Sequence, residues 1–382
     1  MSIFNTNIKN MKKYLAIFLL MVLVACGSTE ESSSVVEVID TTTTTISEQT
    51  STTVGSTDST TTTEATIKYV FDVEKMSPFT GKELTPEVWL KRPRRVVAFK
   101  IDNNINARPQ SGLQEADAVH EILVEGGMTR FLAFFYDNTS TYLGPIRSAR
   151  PTDPTVVRPF GGTLVVSGAT AGLIPSIRDL GVPVLEEQSS PVMFRISSRN
   201  APHNLYADTE LVRETIEDRG FYFLQPGPGP MYPFGFNQNN WNDGADKITI
   251  TYSEFTTVIW KLDGGQYSRF IIDKYAKDKE AVAHNFISQD GNYSDILKTE
   301  TIVVIQGPLY KDKATTLPSV LTVGVGNVFI FNQGKYIEGS WRRGDISEPF
   351  VLTDNDGNDI EVPPSSQWVH ILPNEGLVSI DK

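Results

Sequence analysis

Ala118-Val-His-Glu-Ile-Leu-Val-Glu-Gly-Gly-Met-Thr-Arg-Phe-Leu-Ala-Phe-Phe-Tyr136 is the stretch on which the fold turns. Two apolar runs flank Gly126-Gly127, and strand, glycine pair, strand is the pattern of a β-hairpin. In a half-wet strand, alternation separates a polar face from an apolar one. Here Val119, Glu121, Leu123 and Glu125 fall on one face, and Ala118, His120, Ile122 and Val124 on the other. Neither set is cleanly polar, so both faces are expected to be covered. A helix over 114–125 competes, since Gln114 to Ala118 suit a helix start. The hairpin pattern favours a strand from about Val119, returning through Arg130 to Tyr136.

Working outward, Val96-Val-Ala-Phe-Lys-Ile-Asp102 reads as a mostly buried strand. Thr163 to Ser167 reads as another, followed by a helix around Ala171 to Leu180. A clearer helix runs from about Thr209 to Arg219, with Asp208 or Thr209 as N-cap, Glu210 in the first turn and Gly220 as the stop. Interspersed strands and helices imply an α/β or α+β N-terminal domain, a mixed sheet with flanking helices in three layers.

Gln225-Pro-Gly-Pro-Gly-Pro230 and the Asn/Gly-rich stretch to Gly244 break all periodicity, so a boundary is placed there. The expected division is an N-terminal domain over 68–240 and a smaller, strand-rich α+β C-terminal domain over 241–382. Strands are expected at Lys247 to Tyr252, Thr256 to Leu262, Tyr267 to Lys274, Thr301 to Gln306, Asn327 to Asn332 and Gln367 to Leu372. Asp354 to Asp359 superficially resembles a calcium loop. Its glycine is misplaced and Ser365 stands where the closing Glu belongs, so a hairpin turn is the better reading.

At the other end, Met11-Lys12-Lys13 precedes an almost unbroken apolar run, Tyr14 to Val24, and then Leu23-Val24-Ala25-Cys26-Gly27. The run is short for the ~30 Å of a bilayer core but suits a signal peptide. Its ending resembles the bacterial lipobox, which implies cleavage before Cys26 and lipid attachment (palmitate) on its thiol. Residues 1–26 are therefore expected to be a lipoprotein signal. Residues 27–67, rich in Ser and Thr, are expected to be a disordered tether, reaching roughly 35 Å. The partner this implies is the membrane, held through the N-terminal lipid at the extracytoplasmic face.

Cys26 is the only cysteine among 382 residues, so the remainder has no disulfide, thiol nucleophile or cysteine-ligated zinc. The net charge of −12 argues against a nucleic-acid partner. His120, His203, His284 and His370 are scattered without HExxH or HxH spacing, so no metal or cofactor is expected.

The polar residues between 100 and 150 look unlike a solvated surface. Asp102-Asn103 closes a strand, Arg108 and Gln110 sit on a turn, and Glu121 and Glu125 lie on a largely apolar strand. Arg130 follows the glycine pair, and Arg147 and Arg150 end another strand, three apart. Further on, His203-Asn204 precedes the well-capped helix. Arginine's planar fork grips phosphate or carboxylate bidentately, and four such residues at strand ends could converge on one anion. The competing reading pairs each arginine with Asp102, Glu121 or Glu125 in an internal network.

Together these segments resemble the YerB-type lipoprotein family, which pairs an N-terminal and a C-terminal domain of unknown function. The likeness rests on Pro78-Phe-Thr-Gly81, Ile101-Asp-Asn103, Ala107-Arg-Pro-Gln-Ser-Gly112, Glu125-Gly-Gly-Met-Thr-Arg130, Gly144-Pro-Ile-Arg-Ser-Ala-Arg150 and Ala201-Pro-His-Asn204. In the second half it rests on Gly339-Ser-Trp341 and Gln367-Trp-Val369. Arg343 departs from the lysine expected there and keeps the charge. The resemblance carries no established activity. Over about residues 95–150 the order of elements is also similar to the LytR-CpsA-Psr envelope ligases. That likeness implies arginines holding a lipid pyrophosphate, with Asp117 and Pro145-Ile-Arg147 at matching places.

The expected function is a non-catalytic cell-envelope module with an arginine-lined cleft for an anionic wall polymer or an envelope protein. Its candidate ligand contacts are Asp102, Asn103, Arg108, Gln110, Glu121, Glu125, Arg130, Arg147, Arg150, His203 and Asn204. The alternatives are a phosphate-handling enzyme on lipid-linked precursors and a structural protein with internal salt bridges.

Overall fold

A computed structural model describes residues 69–91, 94–220, 227–274 and 280–381. The expected signal segment, Cys26 and the tether lie outside the described residues.

Three strands form the centre: β1 (Val97–Asp102), β2 (Ala118–Leu123) and β3 (Thr129–Phe135). The hairpin read from the sequence is β2–β3, with Leu123 opposite Thr129 and Gly126 and Gly127 in the turn. A helix over 114–125 does not form; only a single 3₁₀ turn, Leu113–Glu115, precedes β2. Every residue of the three strands is buried. Their alternation sorts residues between two cores. Ala98, Ala118, Ile122, Leu132 and Phe134 enter one; Val97, Phe99, Val119, Phe131 and Phe135 enter the other. With both faces covered, neither needs to be polar.

On its far side β1 continues into two parallel strands, β4 (Thr163–Val166) and β5 (Val184–Glu186). Helices α1 (Asp153–Val157) and α2 (Leu173–Asp179) cover the first face with Val156, Val157, Leu173, Ile174 and Ile177. Helix α3 (Thr209–Asp218) covers the second with Val212 and Ile216. It starts as expected, the Asp208 carboxylate accepting from the Glu210 and Leu211 amides at 2.8 and 3.2 Å.

The second half supplies β6 (Lys247–Thr251), β7 (Thr256–Asp263), β8 (Gln266–Asp273), β9 (Thr301–Gly307), β10 (Gly324–Asn332), β11 (Lys335–Arg343), β12 (Val351–Asp354), β13 (Gln367–Pro373) and β14 (Leu377–Asp381). Five of these extend the central sheet, whose order is β12-β11-β10-β9-β13-β2-β3-β1-β4-β5. The link is β13, which runs parallel to both β2 and β9 and bonds to each. The break at 225–244 therefore divides the sequence, while strands from both sides of it share one sheet. A smaller antiparallel sheet, β8-β7-β6-β14, lies over the second face. Its Ile248, Ile250, Trp260 and Tyr267 join the core that holds Phe99 and Phe131.

Candidate functional site

The polar residues singled out above separate into two assemblies. One is internal. Glu121 points from β2 towards the smaller sheet and is fully buried with Arg269 of β8. Its carboxylate accepts from Arg269 Nη2 at 2.7 and 2.8 Å, from Thr129 Oγ1 at 2.8 Å and from Trp368 Nε1 at 3.1 Å. Burial alone would raise this carboxyl, but the Arg269 charge beside it holds it below the usual range. Arg269 also contacts His284 Nδ1, whose Nε2 lies 2.7 Å from Gln110 Oε1. Trp260 Nε1 donates to His370 Nε2 at 3.0 Å, and Tyr252 Oη lies 2.9 Å from His370 Nδ1. Desolvation takes His370 down to about 3, so it sits here as a neutral acceptor.

Arg108 belongs to this internal assembly. Its Nη1 lies 3.1 Å from Asp273, and its Nε and Nη2 donate to the Asn103 side chain and carbonyl at 3.0 and 2.6 Å. Asn103 in turn donates to Thr129 Oγ1 at 2.8 Å. Asn204 is held within its own loop, taking a 2.7 Å bond from Arg195 and donating to the Ile196 and Arg199 carbonyls. Asp117 is buried as well, one carboxylate oxygen accepting from the amides of Tyr136, Asp137 and Asn138. Burial and the Asp137 charge push it up to about 6.

The second assembly gathers at the carboxyl ends of β1 and β4. The extended segment 144–149 crosses these ends, the Asp102 amide bonding Pro145 O, the Arg147 amide Lys100 O and the Ser167 amide Arg147 O, at 2.9, 2.8 and 3.0 Å. Gly144 begins it, and only glycine fits there: an added Cβ would stand 2.7 Å from the Tyr206 ring and 2.8 Å from Leu205 O. Arg147 and Arg150 are thus delivered to the strand ends, and Arg130 reaches them from β3.

Here Glu125 accepts from Arg150 Nε at 2.5 Å and from Arg150 Nη2, with Arg130 Nη2 at 3.4 Å. Partial burial works against its charge, yet the Arg150 hydrogen bonds and the two guanidinium charges bring it to about 2. Arg130 also donates to Ser148 O at 2.9 Å, and desolvation with the neighbouring Arg150 lowers it to about 10. Beneath lies Lys100, fully buried, 2.6 Å from an equally buried Asp153. Desolvation lowers that ammonium to about 8 against the pull of Asp153. Sequence reading missed this pair, although a lysine inside Val-Val-Ala-Phe-Lys-Ile-Asp was its signal.

Asp102 is 3% exposed and receives His203 Nδ1 at 2.7 Å. Arg147 Nε lies 3.1 Å away on the same oxygen, close enough for a charge pair but without hydrogen-bond geometry. The Arg147 side chain is 21% exposed, and its two terminal nitrogens have no partner among the described residues. Lys100, Arg130, Arg147 and Arg150 oppose Asp102, Glu125 and Asp153, so four cations face three carboxylates and one positive charge is left over. Gly168, just past β4, borders open space. The arrangement can accept an anion at Arg147 and offer it the free edge of the His203 ring.

Residues 79–222 match the family model "Protein of unknown function (DUF3048) N-terminal domain", and residues 248–369 match its C-terminal domain. The chain is 24% identical over 308 residues to the Bacillus subtilis (strain 168) protein named "Putative lipoprotein YerB", covering 80% of this chain and 88% of that one. The crystal structure of YerB from Bacillus subtilis superposes with a TM-score of 0.66 at 22% identity, covering 80% of this chain and 99% of that one. That likeness shows the fold. Both halves of the pair are present, in order, and the chain belongs to the DUF3048 family of YerB-type proteins.

Proposed function

We propose that this protein is a lipid-anchored, extracytoplasmic cell-envelope module that binds an anionic group of a wall polymer at the carboxyl ends of β1 and β4. The relative's name as a lipoprotein supports the anchor, together with Cys26 in its lipobox setting. One observation carries the binding reading: Arg147 is part-exposed, and its terminal nitrogens have no partner among the described residues, in a cluster with one surplus positive charge. A guanidinium charge-paired with Asp102 on its Nε side keeps its terminal nitrogens for a phosphate or carboxylate, which lowers the ordering cost of binding.

The test is calorimetric titration of the full chain in detergent with inorganic phosphate, pyrophosphate and wall-polymer fragments. Binding should weaken roughly 10- to 100-fold in Arg147→Ala, the range of a charge-assisted hydrogen bond. No binding in any arm would remove the anion site and leave an envelope protein as the partner. The full chain should incorporate labelled palmitate and Cys26→Ala should not; label retained in Cys26→Ala, or absent from the native chain, would overturn the anchor.

A second reading is favoured by the Asp102–His203 pair. A buried carboxylate on Nδ1 makes that nitrogen the donor and leaves Nε2 free as an acid–base group. On this reading the protein acts on phosphate-linked envelope precursors, and the arginines stabilise the leaving phosphate. Turnover of a lipid-pyrophosphate substrate that disappears in His203→Gln would establish it. No turnover, with or without magnesium, would exclude it for that substrate.

A further inference from the structure

A groove of about 520 Å³ opens where the first half's 111–115 and 140–142 loops face the hairpin that spans 285–296. Its size falls within the roughly 300–1,000 Å³ of small-ligand sites. Its chemistry differs from the arginine cluster. Glu115 is the only formally charged side chain in the lining. The remaining polar groups are amides and hydroxyls, with Gln114, Gln289 and Thr141 on the exposed rim. Each can donate and accept at once.

Two tyrosines supply flat apolar faces. Tyr142 stacks on the buried Tyr206, ring centroids 4.4 Å apart and planes 21° apart, so its ring is fixed before any ligand arrives. Tyr293, 57% exposed, stands on the hairpin wall with its ring 5.6 Å from that of Phe286. Rings fixed in this way bury area at little entropic cost.

An anion would find no cation in this lining, and a cation only Glu115. A purely apolar ligand would leave the amides unpaired at a cost. A peptide strand would need free backbone groups along the wall. The Ile287 amide is already bonded to Gln110 O at 2.9 Å, and Ile287 pairs with Ser294 across the hairpin. A pyranose ring suits all of these conditions, its C–H face lying on an aromatic ring while its hydroxyls meet amides and hydroxyls at the edge. We propose that this groove is a glycan site for neutral sugar rings.

The groove and the arginine cluster lie on one structural thread. Ser111 in the groove wall exchanges backbone hydrogen bonds with Gly144 at 3.0 and 3.1 Å, and Gly144 begins the segment that delivers Arg147. Resting on the anion-site reading, the two sites together describe a glycan that carries phosphate or carboxylate groups.

Saturation-transfer NMR on the full chain in detergent micelles, with chitotriose and cellotriose at about 10 mM, tests the groove in the affinity range expected of a small neutral sugar. At least one sugar should bind. Tyr293→Ala and Gln114→Ala, both at exposed positions, should each weaken it about tenfold, the size of one lost aromatic contact or amide bond. Arg147→Ala should leave neutral-sugar binding unchanged while weakening phosphate binding, so the two sites fail separately. Absence of transfer to both sugars, or binding that survives both groove substitutions in folded protein, overturns the proposal.

Discussion

At the scale of single residues, the same kind of ion pair plays two parts here, and burial separates them. Glu121 and Arg269 are both fully buried and reach each other between the two sheets. Glu121→Gln would leave a guanidinium without its countercharge in the core. We expect a loss of about 3–5 kcal/mol in urea denaturation. Arg147 is part-exposed with a single charge pair that lacks hydrogen-bond geometry, so Arg147→Ala should cost about 1 kcal/mol or less in the same measurement while weakening anion binding. A large stability loss in Arg147→Ala would return it to the structural class. Glu125 gives a pH test. Its folded pKa, about 2, lies below the ordinary 4.5. Its contribution to stability is therefore fully present above about pH 4.5 and is lost as pH falls towards 2. The urea midpoint should drop more steeply between pH 5 and 3 in the native protein than in Glu125→Gln, and equal slopes would contradict the pairing with Arg150. These roles were only half legible in the sequence. The residue types and their nearness in sequence marked Asp102, Glu125, Arg130, Arg147 and Arg150 for attention. Nothing in the spacing said that Arg108 would turn to Asp273, or that Glu121 would meet a residue 148 positions away.

At the scale of elements, local chemistry was a good guide wherever a local cause sets the conformation. The Asp208 cap and the Gly220 stop mark a helix whose ends follow from nearest-neighbour hydrogen bonding. The β2–β3 hairpin follows from its glycine pair in the same way. Gly127 has φ +69°, and an added Cβ would come within 2.6 Å of the Phe255 ring and 2.7 Å of Ser253 Oγ. The Gly127 carbonyl also accepts from Ser253 and Thr256, at 2.7 and 2.9 Å. Gly127→Ala should thus cost about 1–3 kcal/mol from the backbone alone, before the clash is counted. A denaturant midpoint equal to that of the native chain would show that the turn can relax. Strands β11 and β14 escaped the sequence reading because neither has a long apolar run: β11 alternates buried with exposed or half-buried residues, and β14 alternates exposed with half-buried ones. Their apolar partners lie on other strands, outside any local window.

At the scale of the whole molecule, the two halves complete one another. Residues Ala118 to Ile122 of β2 pair with Gln367 to Ile371 of β13, from the far end of the chain. A chain ending at residue 240 would expose that edge and uncover the second core. We expect it to aggregate or stay unfolded in size-exclusion chromatography and near-ultraviolet circular dichroism. Supplying 241–382 in the same cell should rescue it, and a monodisperse, folded 1–240 fragment would refute the dependence. By itself the sequence determined what short-range physics controls: the hairpin, the capped helix, the family and which polar residues are out of place in apolar runs. Tertiary structure alone decided that both halves share a sheet, that Lys100 and Glu121 have buried partners, and that Arg147 keeps nitrogens to spare. Pairing across hundreds of residues depends on which faces and charges meet in space, and neither periodicity nor spacing in the chain records that.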